Sequence, residues 1–141
     1  MTGSAAAARV RSFYAALNEG DGEQVAAHLA EGATDDRGEA GPVAGPTAIA
    51  AARLGGGRPP AVSWTLESLI AGGPVVATEC TVTWNDEDGE LVAERASEWF
   101  TLREGLIEAI RSYPGPEDPA TGSTFTDEDF DWSLLETDDD L

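Results

Sequence analysis

The hydrophobic pattern of this chain changes once, at Gly55-Gly56-Gly57, from the period of a helix to the period of a strand. Before the three glycines, apolar residues recur every three to four positions, as on one face of an amphipathic helix. After them, four segments rich in β-branched and aromatic residues alternate or run apolar, with short turns between them. Helices followed by a strand meander predict an α+β fold in which the helices cover one face of the sheet.

Three helices are predicted in the first part of the chain. The first runs over residues 4–18, where apolar residues fall at i, i+3, i+4 and i+7: Val10, Phe13, Tyr14 and Leu17. Gly20 ends this helix, and Asp21 is a typical cap for a second helix that runs to about Ala30. Asp35 to Gly45 is predicted as a loop. Pro46 then begins a short third helix that ends at about Leu54.

Four strands are predicted, at Val62–Ala71, Val75–Trp84, Leu91–Arg103 and Leu106–Tyr113. Tight turns join them, which predicts a mainly antiparallel meander. One face of the third strand carries Trp99 among small neighbours, and a second copy of the chain would cover such an exposed aromatic side chain. We therefore expect a homodimer through that face.

The charge of the chain excludes some classes of partner. It has 27 acidic and 8 basic residues, a net charge of −19. Such a potential repels phosphate groups, so neither nucleic acid nor an anionic membrane is expected as a partner. The chain has no apolar run near the roughly 20 residues of a membrane span and no signal-peptide pattern, so a cytoplasmic location is expected.

Two regions differ in composition. Residues 1–113 are predicted to form one domain, and residues 114–141 an acidic tail with Phe125, Phe130 and Trp132. A disordered solubilising tail, a lid over the domain and a segment that docks on a protein partner are all open for this tail.

The sequence contains no motif typical of a metal site or a cofactor site. Cys80 is the single cysteine, which excludes an internal disulfide and a CxxC metal site. Neither a His, Cys and acid cluster with metal-ligand spacing nor a Gly-rich phosphate loop occurs. The sequence therefore predicts no metal and no cofactor.

Strand alternation places two carboxylates on the inner face of the sheet. The even-numbered residues of the third strand are mostly apolar, but Glu94 and Glu98 interrupt them. Burial raises the pKa of a carboxylate toward values useful for proton transfer, so both are candidate catalytic residues, with Glu98 the deeper general acid/base. An ion pair with an arginine such as Arg111 is the structural alternative. His28, the only histidine, is a third candidate as a proton shuttle, with a hydrogen-bonded packing role as its alternative.

Other side chains on the predicted inner face are candidates to contact a ligand. The large aromatic residues either line a cavity or fill the core, and Cys80 is expected to be buried and inert. The candidate ligand-binding residues are Tyr14, Trp64, Cys80, Val82, Trp84, Phe100 and Ser112.

The order of elements and several motifs resemble the nuclear transport factor 2-like superfamily, specifically its SnoaL-like branch. The motifs are Phe13–Asp21, Leu29–Ala33, Gly45–Ile49, Phe100–Leu102 and Gly105–Ile107. The resemblance implies a cone-shaped α+β barrel, in which three helices pack on a curved four-stranded sheet around a deep, mostly apolar cavity, commonly in a dimer. The superfamily hosts isomerases, cyclases, hydrolases, dehydratases and non-catalytic binders, so the resemblance specifies the fold more than the reaction.

Two reactions of the superfamily can be compared by position. For ketosteroid isomerase, the catalytic tyrosine falls on Phe13 and the base near Arg37, and only the strand acid is matched, by Glu98. For limonene epoxide hydrolase, the positions of the arginine and two aspartates hold Cys80, Val82 and Ser112. The resemblance implies a small apolar ligand and leaves two functions open: an enzyme, or a non-catalytic dimeric module whose acidic tail engages a protein.

Overall fold

The structure, a computed structural model, describes residues 3–38, 41–55 and 62–115. Within those ranges the helices are α1 (Gly3–Glu19), α2 (Gly22–Ala27) and α3 (Pro46–Arg53). The strands are β1 (Leu29–Asp36), β2 (Val43–Ala44), β3 (Ser63–Gly72), β4 (Val75–Asn85), β5 (Leu91–Arg103) and β6 (Leu106–Pro114). The predicted α+β class is confirmed, whereas the predicted number of four strands is wrong because the described residues form six.

Helices α1 and α2 follow from local sequence signals. The predicted apolar stripe of α1 is buried, from Val10 to Leu17. Gly20 ends the helix in the left-handed conformation, with a φ of 71° that a residue with a side chain rarely adopts. The Asp21 carboxylate then accepts from the backbone N–H groups of Glu23 and Gln24 and caps α2, as predicted.

The segment after α2 is a strand, so two boundaries predicted from the sequence are wrong. Helix α2 ends at Ala27 rather than Ala30, and β1 begins at Leu29. Residues Asp35 and Asp36, predicted as loop, are the end of β1. This strand forms because it pairs in parallel with the distant β6, and the short β2 adds to its other edge.

The six strands form one sheet in the order β2-β1-β6-β5-β4-β3. Its neighbours are antiparallel except for β1 and β6. The three consecutive pairings from β3 to β6 are the predicted meander. A parallel pair needs a long connection, and here everything between β1 and β6 supplies it.

The core lies between α1 and one face of the sheet. Helix α1 packs against β3, β4 and β6, and the Phe13 ring meets the Phe100 ring edge-on at 5.8 Å between centroids. On β4, Val76, Cys80 and Val82 are buried, as the alternation of that strand predicts. The even-numbered residues of β4 and of the second half of β5 therefore point inward.

The opposite face of the sheet carries exposed aromatic and aliphatic side chains. Trp99 is 45% exposed and Ile70 is 74% exposed. Ala77 pairs with Ile70 on one side and with Trp99 on the other, so the three residues form one row across β3, β4 and β5. Trp99 thus lies on the outer face, as predicted.

Two predictions concern membrane-spanning helices and the acidic C-terminal tail. None of the helices in the described ranges has the length and apolar character that crossing a bilayer requires. The acidic tail predicted for residues 114–141 lies outside the described residues from residue 116 onward, and so does its predicted role as lid or docking segment.

Candidate functional site

Three charged side chains meet inside the apolar core. Glu98 comes from β5, Asp35 from β1 and Arg53 from the last residue of α3. Their exposed fractions are 0%, 1% and 1%, respectively. Charged residues are almost never fully buried unless they are paired, so the arrangement of these three calls for a specific explanation.

Arg53 bridges the two carboxylates. Its Nε and Nη2 donate to the two oxygens of Asp35 at 2.7 and 3.0 Å. Its Nη1 and Nη2 donate to the two oxygens of Glu98 at 2.9 and 2.6 Å. Both carboxylates are therefore held in the two-pronged geometry that the planar guanidinium favours. Two buried negative charges and one positive charge leave this group with a net charge of −1.

Aromatic rings surround the Arg53 guanidinium. Its Cζ lies over the Trp64 ring at 5.0 Å and over the Phe13 ring at 5.7 Å from the centroids. The side-chain amide of Asn18 forms two hydrogen bonds with the Trp64 backbone. It accepts from the N–H at 2.7 Å and donates to the carbonyl at 2.8 Å. The ring faces attract the cation and keep it oriented toward the carboxylates.

Glu98 also accepts hydrogen bonds from neutral groups. The Tyr14 hydroxyl donates to Glu98 Oε1 at 2.7 Å, and the Ser112 hydroxyl donates to Oε2. The Tyr14 oxygen lies 2.8 Å from the Thr78 hydroxyl, and the Cys80 thiol lies 3.8 Å from Oε1. We call the group of Tyr14, Asp35, Arg53, Thr78, Glu98 and Ser112 the buried polar cluster.

The ionisation of Glu98 is opposite to the expectation from burial alone. Desolvation would raise its pKa, but the charge of Arg53 and the hydrogen bonds from Arg53, Ser112 and Tyr14 outweigh it and lower the pKa to about 2. The expected upward shift is therefore wrong, because the sequence did not show the buried arginine. Glu98 is a carboxylate throughout the physiological pH range.

The Tyr14 hydroxyl and the Arg53 guanidinium, which both contact Glu98, keep their protons. Burial, together with the negative charge of Glu98, raises the pKa of the Tyr14 hydroxyl far above its usual value of 10.0. Burial alone would lower the pKa of Arg53, but both carboxylates raise it well above its usual value. The cluster thus presents a permanent phenol donor beside a permanent carboxylate.

Two of the three predicted catalytic residues lie away from Glu98. Glu94 is exposed near the start of β5, where its strand partner is Val82. The suggested partner Arg111 is also exposed, in register with Trp99 on the outer face. The alternation of β5 correctly predicts an inward Glu98, but it cannot tell where along the strand the core ends.

His28 belongs to a separate contact between α1 and α2. Its Nδ1 lies 2.9 Å from Arg9 Nη1, and because arginine only donates, the histidine nitrogen accepts. Arg9 also donates to the carbonyl of Gly105 at 2.8 Å. Partial burial and the nearby charge of Arg9 lower the pKa of His28. Its ring therefore has the hydrogen-bonded packing role that was the alternative to a proton shuttle.

The predicted ligand-binding residues divide between core and cluster. Trp64, Cys80, Val82 and Phe100 are buried, and Trp84 is half-buried. Tyr14 and Ser112 join the buried polar cluster. The space next to Glu98, where the resemblance implies an apolar cavity, is occupied by the side chains of Arg53 and Tyr14.

A small hollow lies between β3, β4 and β5. Its volume is about 50 Å³, and its lining consists of Glu67, Glu79, Cys80, Arg95, Ala96, Ser97 and Gly115. Its charged lining residues are exposed, so it opens to solvent away from the buried polar cluster. Across the part of the chain that the structure describes, no three His, Cys, Asp or Glu side chains are grouped to hold a metal ion.

Sequence reasoning missed Arg53 and Thr78, and it placed Asp35 at the start of a loop. One signal for Arg53 was available: a carboxylate on an inward face needs a buried cation, and a basic residue near the end of a helix that packs on the sheet is a candidate. Thr78 lies on the even face of β4, two residues before Cys80, which is the parity that predicts an inward side chain.

The comparisons with known proteins agree with this fold. A family model described as a SnoaL-like domain matches residues 10–110, whereas no curated protein matches the sequence. The chain is similar to the solved structure of Bal32a from a soil-derived mobile gene cassette, at 22% identity and a TM-score of 0.71, covering 79% of this chain and 90% of that one.

Two further structures have names that mention a small molecule or a reaction. An epoxide hydrolase from M. tuberculosis described as LEH-like is 21% identical with a TM-score of 0.67, covering 79% of this chain and 84% of that one. TerC, crystallised with polyporic acid, is 16% identical with a TM-score of 0.68, covering 83% and 94%. Identities this low show a shared fold, and the family model spans most of the sequence. The chain therefore belongs to the SnoaL-like domain family.

Proposed function

We propose that this protein binds a small, largely apolar molecule on the inner side of its sheet, with the polar end of the molecule at the buried polar cluster. The observation that carries the proposal is the ionised Glu98, 0% exposed, which Tyr14 and Arg53 contact from two different helices. Around the cluster lie apolar and aromatic side chains, which is the usual composition of a small-molecule site.

The energetic argument starts from the cost of the cluster. Taking three charges out of water is expensive, and well-packed apolar residues of similar volume are often as stable as a buried ion pair or more so. Asp35, Arg53 and Glu98 also leave a net negative charge in the core. A role in recognition accounts for a set of groups that stability alone does not require.

The protonation states define what the cluster does to a ligand. Tyr14 has a proton to donate, so its hydroxyl turns from Glu98 to a carbonyl or ether oxygen of the ligand. Glu98 has none, which removes it as a general acid and leaves it as a hydrogen-bond acceptor. In a reaction, Glu98 takes a proton from the ligand or from a water held against it, and it does so only where the ligand displaces Arg53 from its oxygens.

The named relatives support small-molecule chemistry in general. One is an epoxide hydrolase and another was crystallised with polyporic acid. The resemblance to limonene epoxide hydrolase implies an arginine working with two aspartates. Here Arg53 lies between Asp35 and Glu98, the same types of group on different elements. This likeness favours a ligand with a polar oxygen and does not carry over the reaction.

A binding experiment tests the proposal directly. The probes are 2-naphthol and a panel of apolar alcohols, ketones and epoxides, followed by ligand-observed NMR. We expect Tyr14→Phe, which removes one hydroxyl and keeps the ring, to weaken binding of at least one probe by about tenfold. Glu90→Gln, at an exposed carboxylate before β5, is the matched control and leaves binding unchanged.

The proposal fails if no probe in the panel binds, or if every bound probe is indifferent to Tyr14→Phe and to Glu98→Gln. Turnover of a bound probe that is lost in Glu98→Gln, at unchanged affinity, assigns the base role to Glu98. Unchanged turnover in that variant removes the base role and leaves a binding protein.

The outer face supports a second function, association of two copies of the chain. Ile70, Ala77 and Trp99 form a continuous row, and Tyr113 lies on the neighbouring row opposite Ser97. Exposed apolar patches on a sheet often mark a protein interface. We propose that a homodimer covers this row and leaves the buried polar cluster of each copy free for its ligand.

A further inference from the structure

The Trp64 side chain contains a polar atom that the fold leaves unsatisfied. Trp64 is 3% exposed, and no residue in the described ranges accepts a hydrogen bond from its indole Nε1–H. Nearly all buried donors are paired in native proteins, and an unpaired one lowers stability, so each exception requires a reason. The same ring packs on the Arg53 guanidinium and therefore borders the buried polar cluster.

A second arginine lies over the same ring. The Cζ of Arg37 is 5.5 Å from the Trp64 centroid, and the Arg37 side chain is exposed. Unlike Arg53, it forms no ion pair with any residue in the described ranges. Because Nε1 is an atom of the ring that Arg37 covers, the unpaired donor and the guanidinium are neighbours.

We propose that Trp64 and Arg37 together recognise an anionic oxygen, so that the ligand is an organic anion with a flat apolar body, such as an aromatic carboxylate or enolate. Trp64 Nε1 donates to that oxygen, and the Arg37 guanidinium supplies the positive charge and further donors. This inference rests on the proposed function, since it names the chemical class of the molecule that occupies the same site.

The charge of the protein restricts where an anion can bind. With a net charge of −19, the chain repels anions at long range. The buried polar cluster adds a negative charge of its own, since Arg53 is shared by two carboxylates. An anion therefore binds only where an arginine is free of carboxylate partners and lies beside a buried donor. Among the described residues, Arg37 with Trp64 supplies that combination.

The alternative partner for Nε1 is a single ordered water. A water needs two to four polar partners of its own. The near surroundings of the Trp64 ring include the guanidinium groups of Arg37 and Arg53, which are donors only, and the Tyr14 ring, tilted at 6.2 Å. A group that accepts from several donors at once suits this site better than a water, and a carboxylate or enolate oxygen has that capacity.

The test compares 2-naphthoate with its neutral analogue 2-naphthamide on the full chain at pH 7. We expect wild-type protein to bind 2-naphthoate at least tenfold more tightly by isothermal titration calorimetry. Arg37→Gln is expected to lower the 2-naphthoate affinity about tenfold, because it removes the positive charge that attracts the anion, and to leave the affinity for the neutral 2-naphthamide unchanged. Arg103→Gln, an equal charge change at an exposed position of β5, is the control.

The indole proton gives a second readout, which is measured on the wild-type protein. In ¹⁵N-labelled protein, the Trp64 Nε1–H resonance is expected to move downfield when 2-naphthoate binds. Trp64→Phe assigns that resonance and lowers the affinity about tenfold. Trp99→Phe, on the outer face, assigns a second indole and leaves the affinity unchanged.

The inference is overturned if 2-naphthoate does not bind, or if it binds no more tightly than the neutral amide. It is also overturned if Arg37→Gln leaves the 2-naphthoate affinity unchanged, or if the Trp64 indole resonance does not move when 2-naphthoate is added. If neutral probes still bind in a manner that depends on Tyr14, the proposed function survives while the anion site is refuted. If nothing binds, both fail.

Discussion

Replacing Arg53 with methionine is predicted to destabilise the protein by about 3 to 5 kcal/mol at pH 7. The arginine is 1% exposed and donates four hydrogen bonds of 2.6 to 3.0 Å to Asp35 and Glu98. Methionine retains an unbranched apolar stem that packs against the same rings, so the main loss is the positive charge. Two carboxylates then lie in the core without a cation.

The lowered pKa of Glu98 makes the stability of the wild-type protein depend on pH. Arg53, Ser112 and Tyr14 together lower that pKa from 4.5 to about 2, against the opposing effect of burial. The folded pKa lies below the unfolded one, so Glu98 stabilises the fold above about pH 4.5, and the stabilisation disappears as the pH falls toward 2. The two pKa values correspond to a stabilisation on the order of 3 kcal/mol from the ionised Glu98 with all its partners.

Without Arg53, the pH dependence changes sign. Burial then acts unopposed by the arginine and raises the pKa of Glu98 above 4.5, so the folded state takes up protons more readily than the unfolded state. Arg53→Met is therefore expected to gain stability between pH 7 and pH 5, whereas wild-type protein gains nothing from Glu98 in that range.

Urea denaturation followed by tryptophan fluorescence at both pH values measures the two effects. Arg103→Met, at an exposed position, is the control and is expected within about 0.5 kcal/mol of wild type. If Arg53→Met loses less than about 1 kcal/mol at pH 7, or keeps the wild-type pH dependence, then Arg53 is not the counter-charge of Glu98.

Three further predictions address single contacts. Tyr14→Phe is expected to lower the free energy of unfolding by about 1 to 2 kcal/mol in the same urea assay, since it removes one donor to a carboxylate and keeps the ring packing. The lowered pKa of His28 makes folding less favourable as the pH falls below 6.5, and His28→Asn, which keeps an acceptor for Arg9, is expected to remove that part of the pH dependence in thermal unfolding scans. Trp99→Asp is expected to convert a dimer to a monomer in sedimentation velocity without loss of fold, and an unchanged sedimentation coefficient would refute the outer-face interface.

The elements that the sequence predicted well are those with local signals. The apolar stripe of α1, the Asp21 cap and the tight turns between β3 and β6 each lie within a few residues of the structure they produce. Strand alternation also placed Glu98 inward and Trp99 outward, because successive side chains of a strand point to opposite faces.

Strand β1 shows what local signals leave out. It contains Gly32 and three acidic residues, Glu31, Asp35 and Asp36, none of which favours a strand. It becomes a strand because β6, about 75 residues later in the chain, offers an edge for parallel pairing. Since Asp35 was read as part of a loop, its place in the core was not predicted either.

The identity of the partner of Glu98 was also beyond local reasoning. Arg111, the partner suggested from the sequence, is exposed in register with Trp99 on the outer face. Arg53 lies 45 residues before Glu98, at the end of α3, and reaches it only because that helix packs against β1. The sequence predicts that an inward carboxylate needs a cation, and the packing of helices on the sheet decides which one.

The inner cluster and the outer row share one structural determinant, the register of β5. Glu98 and Trp99 are consecutive, so a slip of one residue would place the indole in the core and the carboxylate in solvent. Eleven uninterrupted residue pairs with β4, from Val75↔Thr101 to Asn85↔Leu91, fix that register. A second copy of the chain packed on Trp99 would hold β5 from the other side. Association on the outer face would thereby hold in place the strand that presents Glu98 to Arg53 and Tyr14.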